Sequence, residues 1–175
     1  MKTILVSGGA GYIGSHFCKI AKQSGYNPVV FDNLSTGRRD FVKWGEFVEG
    51  DLHDYDLLVE TFKKYKPIAV IHFAASIEVG ESVINPYKYY DNNVVATLNL
   101  LKAMLDCKIN NIIFSSTSAT YGMPDSNIID ENTPQNPINP YGETKLIVEK
   151  ILEDFHKAYG LNYTALRYFN ASGGD

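Results

Sequence analysis

The stretch Thr3-Ile4-Leu5-Val6-Ser7-Gly8-Gly9-Ala10-Gly11-Tyr12-Ile13-Gly14 decides how the chain should be read. Its first residues form the short apolar run expected of a strand buried on both faces, and glycines follow at once. Gly9, Gly11 and Gly14 fit the spacing G-x-G-x-x-G, whereas Gly8, Gly11 and Gly14 fit G-x-x-G-x-x-G, so the sequence leaves the register open. Both registers answer the same need. Glycine permits a tight turn, lets backbone come close to a pyrophosphate, and lets the next helix pack near the strand. A helix starting near Tyr12 would aim its free N–H groups and positive dipole end at phosphate.

An acid follows at the spacing such a turn calls for. Asp32 lies 18 residues after Gly14, at the end of a second apolar run from Pro28, where a carboxylate can accept both ribose hydroxyls of a dinucleotide. That choice favours NAD over NADP, whose 2′-phosphate an acid would repel; Arg38 and Arg39 nearby keep NADP as the alternative. Asp51 and Leu52 end a third run and are candidates to flank the adenine, with an ordinary strand-end acid as the competing reading.

Outward from this start, apolar runs alternate with amphipathic stretches. We expect strands at 3–7, 28–32, 46–49, 68–73, 111–116 and 161–168, with helices at 12–24, 54–65, 87–106 and 140–159. Residues 122–140, with four prolines, form a long loop, and Pro140 suits the first position of a helix because its missing N–H would be unpaired there anyway. Strand–helix alternation implies an α/β fold, a doubly wound parallel sheet of the Rossmann type, with strand order 3-2-1-4-5-6. Residues 1–175 read as one domain.

Composition excludes several classes. The 175 residues are 45% hydrophobic and 21% charged, with net charge −4, ordinary values for a globular domain. No Lys/Arg cluster exceeds a pair, so the basic footprint of a nucleic-acid binder is missing. No apolar run approaches the roughly 20 residues a membrane span needs. Cys18 and Cys107 make no disulfide framework and suit a reducing cytoplasm. His16, His53, His72 and His156 have no metal-ligand companions, and no metal is expected.

The reactive groups sit late in the chain. Tyr141 and Lys145 are spaced i, i+4, one turn apart on one helical face. A phenol of ordinary pKa about 10 is a poor base at neutral pH. A lysine cation and the positive field of a bound nicotinamide would favour the phenolate and lower that value. A hydroxyl cluster, Ser115-Ser116-Thr117-Ser118, ends the preceding strand. The plain alternative for Tyr-x-x-x-Lys is an accident on a helix surface.

Taken together, these features resemble the extended short-chain dehydrogenase/reductase family, and within it the nucleotide-sugar 4-epimerases. Matching segments are Gly8 to His16, Asp32-Asn33-Leu34, His72 to Ala75, Val79 to Ser82, Tyr89 to Asn93, Phe114 to Thr117, Pro140-Tyr141 with Lys145, and Arg167 to Asn170, spread from residue 4 to residue 174. The resemblance implies NAD as a tightly held cofactor and interconversion of UDP-glucose and UDP-galactose by transient oxidation at sugar C4. It implies Tyr141 as general base, Lys145 as its electrostatic partner and a ligand of the nicotinamide ribose, and Thr117 as a partner of the reacting sugar hydroxyl. Cofactor contacts would come from Gly8, Gly11, Tyr12, Ile13, Gly14, Asp32, Asn33, Leu34, Ser35, Thr36, Gly37, Asp51, Leu52, Phe73, Ala74, Ala75, Ser76, Ile77, Asn93, Tyr141, Lys145 and Phe169. Thr117, Tyr141 and Asn170 would contact the UDP-sugar. Ile77 departs from relatives that carry Lys there. The 4,6-dehydratases of the same scaffold place Asp-Glu after the threonine, where this chain has Ser118 and Ala119, which argues against dehydration.

The resemblance also implies a homodimer built on the helices at 87–106 and 141–159, where Leu100, Met104, Ile151, Leu152 and Phe155 lie off the main apolar stripe; core packing is the competing reading. A smaller substrate-closing domain is expected beyond residue 170 and is absent from this chain. The rival expectations are therefore an NAD-binding module without turnover and a 4-epimerase for another UDP-sugar.

Overall fold

The computed structural model describes residues 1–124 and 128–173; the part of the expected 122–140 loop at 125–127 and the end of the matched span at 174 lie outside the described residues. Parallel strands β1 (Lys2–Ser7), β2 (Tyr26–Asp32), β3 (Glu46–Glu49), β4 (Val70–His72), β5 (Asn111–Ser115) and β6 (Asn162–Leu166) form one sheet in the order β3-β2-β1-β4-β5-β6. This is the topology the alternation predicted.

Successive side chains on a strand point to opposite faces, and both faces are apolar here, so each strand reads as a continuous run. Leu5, Val29, Phe31, Val70, Ile112 and Phe114 pack beneath α2 (Tyr55–Tyr65), α5 (Ala96–Asp106) and α6 (Pro140–Tyr159). Ile4, Val6, Val30 and Ile71 meet Cys18 and Ala21 of α1 (Tyr12–Gln23) on the other face. That second face is covered only in part. Thr164 and Leu166 of β6, in register with Ile113 and Ser115, are exposed, so the double winding holds for the β1–β2 half and one side of the β6 region stays open.

Local signals set the helix ends. The Asp54 carboxylate accepts from Leu57 N–H at 3.0 Å to start α2, and Asn139 accepts from Gly142 N–H at 2.9 Å to start α6 with Pro140 at its first position. Gly160 ends α6 at φ 72°, a left-handed conformation glycine adopts without steric cost.

Four differences from the expected elements matter. β4, β5 and β6 are shorter than expected: all three lose residues at their carboxyl ends, which pass into the loops of the site, and β4 and β6 lose them at their amino ends as well. A short helix α3 (Val79–Ile84) was not foreseen. The expected helix at 87–106 is α4 (Pro86–Tyr89), a π turn over Tyr90–Val95, and then α5. Finally, Leu100, Met104 and Leu152 are fully buried and serve the core, while Ile151 and Phe155 are partly buried against it.

The contacts distinguish Gly8 from Gly9: a Cβ at Gly9 would meet the Val30 side chain at 2.9 Å, whereas Gly8 is left-handed and meets backbone. Gly8 has φ 74°, and a Cβ there would lie 2.5 Å from Ala74 N; at Gly14 it would lie 2.2 Å from Gly8 O. At Gly11 the nearest atom would be 3.3 Å away. Gly8→Ala and Gly14→Ala should each lower stability by at least about 2 kcal/mol, through strain and overpacking. Gly11→Ala should cost about 1 kcal/mol, the loss of a tolerated helix-cap residue. Urea midpoints at constant slope check this, with Gly9→Ala costing less than Gly8→Ala because the Val30 side chain can give way, and a larger loss at 9 than at 8 would contradict Gly8 as the first glycine of the turn.

Candidate active site

The candidate residues gather at the carboxyl edge of the sheet, where loops following β1, β2, β3, β4, β5 and β6 converge beside the start of α6. In open parallel sheets this edge is where ligands bind. Gly8 sits at its centre, its N–H donating to Phe31 O at 2.9 Å. Gly11 N–H returns to Gly8 O at 3.2 Å, closing the turn into α1. Gly11 offers no side-chain cap, and no acid lies in the first turn of α1. The α1 terminus therefore differs from those of α2 and α6, which Asp54 and Asn139 cap.

Asp32 holds this turn in place. Its Oδ2 accepts from Ala10 N–H and its Oδ1 from Leu34 N–H, both at 2.9 Å, leaving the carboxylate 8% exposed. Leu34 sits at φ 58°, a left-handed conformation costly for a side chain with a Cβ and held here by the Asp32 bond. Gly37 passes close to Asp32, while Ser35 and Thr36 lie on the exposed rim. Asn33 donates to Asp51 at 2.7 Å, and Asp51 also accepts from the His53 backbone N–H and faces the His53 ring at 2.7 Å. Burial alone would raise the Asp51 carboxyl, but these hydrogen bonds hold it below its ordinary value and lift His53 above its own. Leu52 belongs to the core, its carbonyl accepting from Asn99. Arg38 pairs with Asp40 at 2.9 Å, and Arg39 stacks on Phe47 at 4.1 Å, so both cations are engaged away from Asp32.

After β4, Phe73 packs on Phe17 of α1, and the backbone of residue 76 is clamped by one side chain. Asn93, on the π turn, accepts from Ser76 N–H at 2.8 Å, donates to Ser76 O at 3.0 Å, and donates to Thr144 Oγ1 of α6 at 3.1 Å. Single π turns recur at functional sites because they re-aim side chains. Ile77, by contrast, is 61% exposed.

The reactive group is assembled from β5, α6 and the end of β6. Lys145 is buried, donating to Ser115 O at 2.8 Å above the Phe114 ring. Burial pushes its ammonium down to about 7, against the pull of nearby Glu149. Tyr141 is half-buried. Burial raises its phenol, the Thr117 side chain lowers it, and Tyr168 raises it further. The expected lowering by Lys145 is therefore not what the protein alone provides: desolvation prevails. Thr117 caps the 3-10 turn at Ser118–Tyr121, accepting from Ala119 N–H at 3.1 Å. Phe169 and Asn170, which follow Tyr168, are exposed, and Tyr12 reaches Gly173 O with its hydroxyl.

Several contributors escaped the sequence reading. Glu149, 7% exposed, accepts three N–H bonds from Arg167, one from Gln135 at 3.1 Å and one from the Ser116 hydroxyl, tying the ends of β5 and β6 to α6. Its signal was available, because 141, 145 and 149 share one helical stripe. His72, Thr97 and Thr144 form the other unforeseen group, described below. Among the described residues no set of His, Cys, Asp and Glu could hold a metal, and no helix is long and apolar enough to cross a membrane.

Lys145 gives a pH test. Between about 7 and 10.5 the unfolded chain binds a proton at this amine that the folded chain does not, so this group makes stability rise as pH rises through that window. Lys145→Met should remove that slope and raise the urea midpoint at pH 8. Midpoints of both proteins from pH 7 to 10 check it, and parallel curves would refute the buried amine.

The same fold occurs in known proteins. Residues 4–175 match the family described as NAD dependent epimerase/dehydratase. The chain is 55% identical over 174 residues to a UDP-glucose 4-epimerase of Rhizobium leguminosarum bv. trifolii, covering 99% of this chain and 53% of that protein. A UDP-glucose 4-epimerase of Brucella ovis, solved in complex with NAD, superposes with TM-score 0.98 at 59% identity, over 100% of this chain and 54% of the other. The UDP-Glc/GlcNAc 4-epimerase of Campylobacter jejuni superposes with TM-score 0.93 at 44% identity, over 97% of this chain and 54% of the other. The chain thus spans about half the length of the curated relatives it matches. Glycine turn, strand order and whole-length identity agree, and the chain belongs to the NAD dependent epimerase/dehydratase family.

Proposed function

We propose that this chain is the NAD-binding and proton-transferring half of a UDP-sugar 4-epimerase, with UDP-glucose and UDP-galactose as the interconverted pair. The observation that carries the reading is the gathering of Tyr141, Thr117 and Lys145 at the edge that also bears the glycine turn and Asp32.

The residues suit the cofactor. The amino end of α1 is uncapped and free of acids, as a pyrophosphate would need. Asp32 lies where ribose hydroxyls would come, and Arg38 and Arg39 are engaged elsewhere, which favours NAD over its phosphorylated form. Bound NAD would supply a reversible hydride acceptor. The chain itself would handle the proton. Tyr141 Oη takes it from the sugar 4-hydroxyl and later returns it, Thr117 Oγ1 orients that hydroxyl, and Lys145 favours the phenolate once a ligand draws its ammonium toward the phenol. Because burial raises Tyr141 in the protein alone, an unliganded site keeps its proton at neutral pH.

A second reading is a nucleotide-binding module without turnover, since the chain spans about half the length of the relatives it matches. The sugar could also be an N-acetylated relative, as the Campylobacter name allows. A second copy, which the resemblance implies, would find Tyr87, Val95, Leu98 and Tyr159 exposed along the helices at 87–106 and 141–159.

Denaturing the purified chain and identifying released nucleotide by mass spectrometry tests the first half of the reading. NAD is expected; NADP would overturn the role of Asp32. Assay with UDP-galactose then separates the readings: turnover lost in Tyr141→Phe by at least about a thousandfold supports the epimerase, and NAD retained without any turnover supports the module.

A further inference from the structure

The buried polar side chains behind the glycine turn form one directed chain of hydrogen bonds. Ser7, His72, Thr97, Asn93 and Thr144 are each no more than 2% exposed, yet lie on β1, β4, α5, the π turn and α6. Thr144 Oγ1 donates to Tyr141 O at 2.7 Å and accepts from Asn93 Nδ2 at 3.1 Å. Thr97 Oγ1 donates its one proton to Asn93 O at 2.6 Å. It can therefore only accept from His72 Nε2, 2.9 Å away, which places the ring proton on Nε2. His72 Nδ1 then accepts from Ser7 Oγ at 2.7 Å. Burial, with Lys145 adding to it, pushes the ring's pKa down to about 3, in keeping with a neutral imidazole.

The chain begins at the residue before Gly8 and ends on the first turn of α6. Midway it holds Ser76 through both of its backbone groups. From Ser7 to Thr97 each side chain has its proton assigned by the next, and Thr97 then bonds the Asn93 carbonyl, so the link to the Asn93 side chain runs through the backbone of the π turn that carries it. We infer that His72 is a positioning residue: through Thr97 it holds the Asn93 carbonyl and so the π-turn backbone that aims the Asn93 side chain at Ser76 and Thr144, setting the glycine turn, residue 76 and the start of the Tyr141 helix in one register. The functional weight of this register rests on the cofactor reading above; the physical coupling does not.

Amide hydrogen exchange tests the coupling on the chain without any ligand. Ser76 N–H reports the Asn93 clamp; it lies four residues past His72 but 21 residues before Thr97, so Thr97→Val separates transmission through Asn93 from a direct disturbance of the β4 end. In His72→Phe and in Thr97→Val its exchange should quicken at least about tenfold relative to the Val30 amide of β2, as a local opening. The double variant should be no faster than His72→Phe alone. His72→Gln, which keeps a donor toward Thr97, should restore most of the protection. Leu58→Ala in α2, a core truncation away from the chain, should lower overall stability with the Ser76-to-Val30 ratio unchanged. A ratio unmoved in His72→Phe, or effects of the two single variants that multiply, would overturn the proposal; if His72→Phe does not fold, Thr97→Val alone decides by the same ratio. NAD titration of the folded variants adds the functional reading, with affinity about tenfold weaker in His72→Phe expected. Failure of the unaltered chain to bind NAD would count against the cofactor reading and leave the exchange result standing.

Discussion

Backbone at residue 8 has to pass between three strands at once. Its N–H bonds Phe31 O of β2, its Cα lies against Phe73 and Ala74 at the end of β4, and its own strand enters from below. No side chain fits there, and the φ of 74° suits none. The first turn of α1 is built on that passage, because Gly14 crosses Gly8 O at a distance that excludes a Cβ. Asp32 then fastens the turn from the β2 side through Ala10 N–H. The cofactor-facing edge is therefore shaped by close backbone approach, and side chains enter afterwards.

On the face under α5 and α6, polarity is arranged in two separate webs within an apolar layer. One runs from Ser7 to Thr144; the other joins Glu149 with Arg167, Ser116 and Gln135. Burying such groups is tolerable because each finds a partner, and no buried side-chain nitrogen or oxygen among the described residues is without one. Lys145 lies between the webs with a backbone carbonyl as its hydrogen-bond partner. Its amine is thus less firmly charged than a surface lysine, and Tyr141 gains no help from it until something else enters. The candidate pair is positioned by the fold with burial opposing the charged form of both groups.

Much of this could be read from the sequence because the signals were local. The glycine spacing, Asp32, the Pro140 start and the i, i+4 pair of Tyr141 and Lys145 each depend on residues close together along the chain. The strand order followed from alternation and the right-handed crossover rule. What stayed hidden is non-local. Whether Gly8 or Gly9 carries the turn depends on where β4 ends, a contact 66 residues away in number. The role of His72 depends on Thr97 and Ser7, and a lone buried histidine gives no sign of either. Leu100 and Met104 were ambiguous because a helix near a large core buries more than one stripe.

The π turn at Tyr90–Val95 carries a constraint of a different kind. It holds more residues than the equivalent stretch of α-helix, so α4 and α5 are out of phase by about one residue, or roughly 100° of rotation. Deleting one residue here would repair the helix and turn Asn93 away from Ser76 and Thr144. Length changes that a surface helix would absorb are therefore confined, in this segment, to compensated pairs of insertion and deletion. The irregular turn acts as a frame marker for the chain.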